Sequence, residues 1–194
     1  MLFYNTVKNL VKYFLKFIYR IEITGLDNIP IEGKSIVCSN HFNNLDPLLI
    51  GTCLPRRINY MAKEELFSNK LFASFLKKFG VFPVKRGGAD ISAIKTALKI
   101  LKEDSVLGIF PEGTRSKTGE MLEAKPGIAM ISIKSQSPII PIAIIGNYKL
   151  FSKIRIIIDK PMDFSEYYGQ KNSTEEYQQL SQKILDHIKS LMIE

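Results

Sequence analysis

His41 and Asp46 stand five residues apart in the segment Asn40-His41-Phe42-Asn43-Asn44-Leu45-Asp46-Pro47. They are the pair in this chain best suited to acid–base chemistry. The chain has only 2 histidines. Histidine titrates near neutrality, so its ring can take a proton from a hydroxyl and return it. A carboxylate beside the ring fixes the tautomer and stabilises the imidazolium that forms. No glycine-flanked serine accompanies the pair, which points to a base acting on a hydroxyl of a substrate and not on one of the protein. The same residues also read as a helix start, with aspartate at the N-cap and proline in the first turn. Five residues of helix turn about 500°, leaving the two side chains roughly 140° apart. The two therefore meet only if His41 lies in a loop that curls back over the start of a helix.

Three more segments carry chemistry, two of them at the end of a short strand and one at the start of a helix. Gly80-Val81-Phe82-Pro83-Val84-Lys85-Arg86-Gly87 ends in two cations, and the planar fork of Arg86 suits a phosphate, unless the segment is a solvated turn. In Phe110-Pro111-Glu112-Gly113-Thr114-Arg115-Ser116, Gly113 permits unusual torsions while Thr114, Arg115 and Ser116 all carry donors. Lys125-Pro126-Gly127 opens a helix whose free N–H groups suit an anion. Open α/β sheets bind ligands at the carboxyl ends of their strands, where the first two of these segments fall.

Positioning them requires a scaffold. Short apolar runs at 21–24, 36–38, 58–62, 81–85, 106–110, 139–145 and 154–158 read as strands. Helical periodicity covers 46–54, 68–79, 91–102 and 127–134, and Ser173-Thr174-Glu175-Glu176 has capping-box spacing ahead of a last helix running to Leu191. Strands and helices alternate, and several strands are apolar on both faces. That predicts an α/β fold, a largely parallel central sheet covered by helices. The division expected is an N-terminal amphipathic helix over 1–22 and one domain over 23–194. Leu71, Phe72, Phe75, Leu76 and Phe79 read as core, or alternatively as the lining of an acyl-chain groove.

In the first helix Lys8, Lys12, Lys16 and Arg20 recur every four residues, with Phe3, Val7, Leu10, Phe14 and Phe17 opposite them. No apolar run reaches the roughly 20 residues that span a bilayer, and no signal-peptide cleavage site is expected. The pattern predicts a helix lying in a membrane interface, lysines towards headgroups and phenylalanines towards acyl chains. The alternative is a helix packed on its own core with a solvated basic face. Over 194 residues, 27 Lys+Arg against 19 Asp+Glu give a formal charge of +8, which favours an anionic partner or simply solubility. Cys38 and Cys53 lie in apolar settings and are expected as buried thiols in a reducing compartment. With no Cys-x-x-Cys and no histidine cluster no metal site is expected, and no aromatic–basic motif suggests nucleic acid.

Taken in order, the blocks resemble those of the glycerolipid acyltransferases, most closely the 1-acyl-glycerol-3-phosphate acyltransferases. His41 and Asp46 match the family's His-x4-Asp box. Gly80 to Arg86 match its arginine-ended block with varied spacing. Phe110 to Ser116 match a third block residue for residue, and Pro141 matches the proline-containing apolar strand. The likeness spans roughly residues 39–145. It implies that His41 deprotonates the free hydroxyl of lysophosphatidate, which attacks an acyl thioester of coenzyme A or acyl carrier protein to give phosphatidate, with Asp46 steering the ring. Arg86 and Arg115 would bind the acceptor phosphate, Glu112 and Gly113 would shape the glycerol site beside the Thr114 donor, and Lys125 with the N–H groups near Gly127 would stabilise the oxyanion. No metal or cofactor beyond the donor is implied. An anionic membrane surface would be a partner, the protein sitting peripherally on the cytoplasmic face of the cell membrane. Family members often carry a longer anchor, whereas one such helix fits here, so deep embedding is not expected. Three alternatives stand beside this reading. One is an acyltransferase using glycerol-3-phosphate or another lysophospholipid, one a thioester hydrolase, and one a non-catalytic basic module binding a membrane surface or nucleic acid.

Overall fold

The computed structural model describes residues 2–85, 90–116 and 118–193. In chain order the elements are α1 (Leu2–Ile18), β1 (Arg20–Thr24), β2 (Ser35–Ser39), α2 (Asp46–Cys53), β3 (Ile58–Lys63), α3 (Lys70–Lys78) and β4 (Phe82–Val84). They continue as α4 (Ile91–Lys102), β5 (Val106–Ile109), α5 (Gly127–Ser135), β6 (Ile139–Ile145), β7 (Lys153–Ile158) and α6 (Thr174–Leu191). The strands form one sheet in the order β1-β7-β6-β2-β5-β3-β4. Of the pairings between these strands, only β6 with β7 is antiparallel. The largely parallel sheet expected from the sequence is the one observed.

β2 and β6 are apolar on both faces because helices cover both. Val37, Ile140, Ile142 and Ile144 pack on one side with Leu15 and Tyr19 of the α1 end and Leu49 and Ile50 of α2. Ile36, Cys38, Ile139 and Ala143 pack on the other with Leu101 of α4, Ile128 of α5 and Ile184 and Ile188 of α6. Each such isoleucine or leucine contributes about 1.5–3 kcal/mol of burial, and alternation along a strand assigns neighbours to opposite cores. α6 begins in the capping box read from the sequence: Ser173 Oγ accepts from the N–H of Glu176 (3.1 Å), and the Glu176 carboxylate accepts from the N–H of Ser173 (2.6 Å).

Three expectations are corrected. The boundary at residue 22 falls inside β1, which pairs with β7 from Arg20 to Thr24 and so belongs to the sheet. In α1 the stripe facing the core is Val7, Val11, Leu15 and Ile18, and it carries Lys8 and Lys12 on its flank, both half-buried. Lys8 Nζ donates to the Leu54 carbonyl at the end of α2 (2.5 Å), and burial, reinforced by Lys12, lowers its pKa. The outward face is Leu2, Phe3, Leu10, Tyr13, Phe14 and Phe17, the last 78% exposed. In α3 only Ala73 is fully buried; Leu71 is 86% exposed, with Phe72 and Phe75 also outward, so this stripe is not core.

Candidate active site

β2 lies between β5 and β6 and runs parallel to both, so the three strands end on the same edge of the sheet. The loops leaving that edge build the site. Asn40 follows β2, is buried, and is clamped to β6: its Nδ2 donates to the Ile144 carbonyl (2.9 Å) and its Oδ1 accepts from the Ile144 N–H (2.8 Å). His41 comes next. Its main-chain N–H donates to Glu112 Oε1 (2.8 Å), and its carbonyl accepts from the Ser116 N–H (2.9 Å). Both partners lie in the loop after β5. The imidazole stacks on Phe110, centroids 4.1 Å apart at 22°.

The chain then turns back on itself. Asp46 opens α2 with Leu45 as N-cap, whose side chain makes no capping bond. The Asp46 carboxylate points backwards instead. Its Oδ2 accepts from the N–H of Phe42 (2.9 Å) and of Asn43 (2.8 Å) and lies 2.8 Å from His41 Nδ1. The loop curl that the five-residue spacing demanded is thus present, and the capping role is not. Asp46 is 0% exposed and the His41 side chain 14%. A carboxylate on Nδ1 holds the proton there and leaves Nε2 as the basic nitrogen. A hydroxyl approaching the strand ends at Nε2 could give up its proton.

Glu112 was expected to shape a substrate site. It is 2% exposed, and its second oxygen accepts from the Leu122 N–H (2.8 Å). Burial raises its pKa, opposed by the two main-chain N–H groups. Its carboxylate therefore ties the His41 loop to the post-β5 loop. Behind Phe110 a third ring, Tyr60 of β3, stacks at 6.1 Å and 12°. Gly108 of β5 makes room for it: a Cβ there would lie 2.3 Å from the Tyr60 ring.

The remaining residues are arranged more loosely. Gly113 has φ +68°, and a Cβ on it would meet Lys125 Cγ at 3.4 Å, so Lys125 lies beside this turn. The Lys125 N–H also donates to the Pro111 carbonyl (2.7 Å). Thr114 and Arg115 are exposed on the same loop. Gly127 is the first residue of α5, whose N-cap Pro126 offers no side-chain cap. Arg86 lies outside the described residues; its flank Lys85 donates its N–H to Asp90 Oδ2 (2.8 Å) just beyond β4. β4 is three strands from β2, roughly 14 Å at the usual strand spacing. Sequence reasoning missed Tyr148, whose hydroxyl donates to Asp46 Oδ1 (2.5 Å) across 102 residues of chain. It also missed the Asn40 clamp, whose one signal was a buried-strand end next to His41.

A family model described as Acyltransferase matches residues 20–145, from β1 to the end of β6. The chain is 34% identical over 190 residues to a 1-acyl-sn-glycerol-3-phosphate acyltransferase of Bacillus subtilis, covering 93% of this chain and 94% of that one. It is 34% identical over 143 residues to 1-acyl-sn-glycerol-3-phosphate acyltransferase alpha of Mus musculus, covering 71% of this chain and 50% of that longer protein. The crystal structure of the 1-acyl-sn-glycerophosphate acyltransferase of Thermotoga maritima matches with a TM-score of 0.76 at 24% identity, covering 97% of this chain and 79% of that one, a likeness of fold. With the match running through both the His41 loop and the Phe110–Ser116 loop, the chain belongs to the acyltransferase family and, within it, to the 1-acyl-sn-glycerol-3-phosphate acyltransferases.

Proposed function

We propose that this enzyme transfers an acyl group from a thioester of coenzyme A or acyl carrier protein to the free sn-2 hydroxyl of 1-acyl-glycerol-3-phosphate, giving phosphatidate. The observation that carries the reading is the His41 Nδ1–Asp46 Oδ2 contact of 2.8 Å at the carboxyl end of β2. His41 Nε2 takes the hydroxyl proton as the oxygen attacks the thioester carbonyl. The tetrahedral intermediate collapses, the C–S bond breaks, and the imidazolium returns the proton to the departing thiolate. Asp46 holds the ring and balances its transient charge. Arg115, exposed on the loop beside His41, and Arg86 beyond β4 bind the acceptor phosphate. Gly113 and Thr114 line the approach, with Lys125 and the N–H groups of Gly127 and Ile128 at the start of α5 facing the oxyanion. No metal enters these steps.

The acceptor and product are lipids, and the exposed α1–α3 surface supports peripheral attachment to a membrane; the cytoplasmic face of the cell membrane is the side we propose. Among the described residues no helix is long and apolar enough to cross a membrane. The outward aromatic face of α1 continues onto α3 through a run of rings: Phe3 and Tyr4 meet Phe79 (6.1 and 5.4 Å), Phe79 meets Phe75 (4.7 Å), and Phe75 meets Phe72 (6.4 Å). Cations border the run, with Lys78 Nζ 5.9 Å from the Phe3 ring and Arg57 5.2 Å from Tyr4. Rings that enter the headgroup region beside cations that meet anionic lipid make a membrane-docking face.

The test is product identification by mass spectrometry. Purified protein is given lysophosphatidate or glycerol-3-phosphate with acyl-coenzyme A or acyl carrier protein. Phosphatidate from lysophosphatidate is expected. Acylation of glycerol-3-phosphate alone would move the enzyme to the other acceptor class, and release of free fatty acid alone would make it a hydrolase.

A further inference from the structure

We propose that Tyr148 is a positioning residue for the His41–Asp46 pair, holding the Asp46 carboxylate in the rotamer that serves His41; the inference rests on the acyltransferase reading above. Asp46 is a fully buried carboxylate, so each of its oxygens needs partners. Oδ2 receives two main-chain N–H groups and faces His41 Nδ1. Oδ1 receives the Tyr148 hydroxyl at 2.5 Å, a length typical of a charge-assisted O–H···O bond.

The geometry around Tyr148 is specific. The residue lies in the turn between β6 and β7, at the same sheet edge as His41, with φ +52°. A bulky residue rarely adopts that backbone, so the turn is held by what its side chain contacts. The ring packs edge-on against Tyr19, just after α1, at 5.5 Å and 85°, and against Phe42 of the His41 loop at 5.6 Å and 63°. These contacts fix the ring and aim its hydroxyl. Burial and then the Asp46 charge push the phenol far above its ordinary pKa, so it remains a proton donor at any working pH. It exchanges no proton with substrate. Its effect is to stop the carboxylate rotating about its Cβ–Cγ bond, which would turn Oδ2 away from Nδ1.

The experiment is steady-state kinetics of Tyr148→Phe with lysophosphatidate and acyl thioester, in wild-type and Asp46→Asn backgrounds, beside thermal melting. The expected kcat loss is about 10- to 100-fold, with both KM values within about twofold. In the Asp46→Asn background the added loss should shrink to less than about threefold, because the partner carboxylate is gone. Tyr148→Leu separates hydroxyl from ring: a kcat loss close to that of Tyr148→Phe supports the hydroxyl. Normal kcat in Tyr148→Phe, an equal added loss in both backgrounds, or raised KM at unchanged kcat would each overturn the proposal. An active wild type with an inactive His41→Ala and a normal Tyr148→Phe refutes this inference alone. No acyl transfer by the wild type refutes the functional reading beneath it.

Discussion

Glu112 accepts one main-chain N–H from His41 and one from Leu122, each at 2.8 Å, and so fixes where His41 sits without facing outward itself. A glutamine there must turn an NH2 group against one of those donors. Glu112→Gln is therefore expected to lose about 1–3 kcal/mol of stability, read as a lower melting temperature, and to lower kcat with it. Unchanged melting with a raised acceptor KM would mean that residue 112 contacts substrate. At this scale legibility follows sequence distance. His41 and Asp46 were readable because five residues of chain fix their relation, and the structure supplies the curl that spacing required. The buried role of Glu112 was not readable, since it depends on Leu122 arriving from another turn. Tyr148 had no local signal, because only the β2–β6 pairing brings its turn to the His41 edge.

Periodicity and caps located the elements well, because apolar spacing and capping chemistry are local. The box at Ser173 and Glu176 and the start of α4 at Ile91 are where the sequence puts them. Orientation was less legible. A helical wheel shows which face is apolar but not which face is buried, and in α1 and α3 much of the apolar face is outward. One element carries a pH prediction. Asp90 caps α4 through the N–H groups of Ser92 and Ala93 and also accepts from that of Lys85. The main-chain N–H groups of Lys85 and Ala93, foremost, hold its carboxyl below the usual aspartate range. A depressed folded value means that the stabilisation is present above the unfolded value, about pH 4, and is lost as pH falls through the folded one. Asp90→Asn keeps an oxygen for the cap but no charge. Its melting temperature should fall less steeply than that of the wild type below about pH 4. Parallel curves would show that the Asp90 charge contributes nothing.

For the whole molecule, the candidate site lies along one edge of the sheet, and the α1–α3 face, proposed to dock on a membrane, carries exposed rings and cations. Phe14 and Phe17 are exposed, so Phe14→Gln with Phe17→Gln should leave melting unchanged while lowering binding to anionic vesicles by about tenfold or more. Unchanged sedimentation with vesicles would remove α1 from the docking face. Lys8→Glu is a poor test of attraction to headgroups, because Lys8 holds the Leu54 carbonyl and its reversal would loosen α1 from α2. The central claim is that His41, held by Asp46, is the base. The most direct measurement is the turnover of folded His41→Ala with lysophosphatidate and acyl thioester, phosphatidate being counted by mass. The account predicts a loss of about 10²–10⁴-fold or more at unchanged melting. Near-normal phosphatidate formation by the folded variant would contradict it.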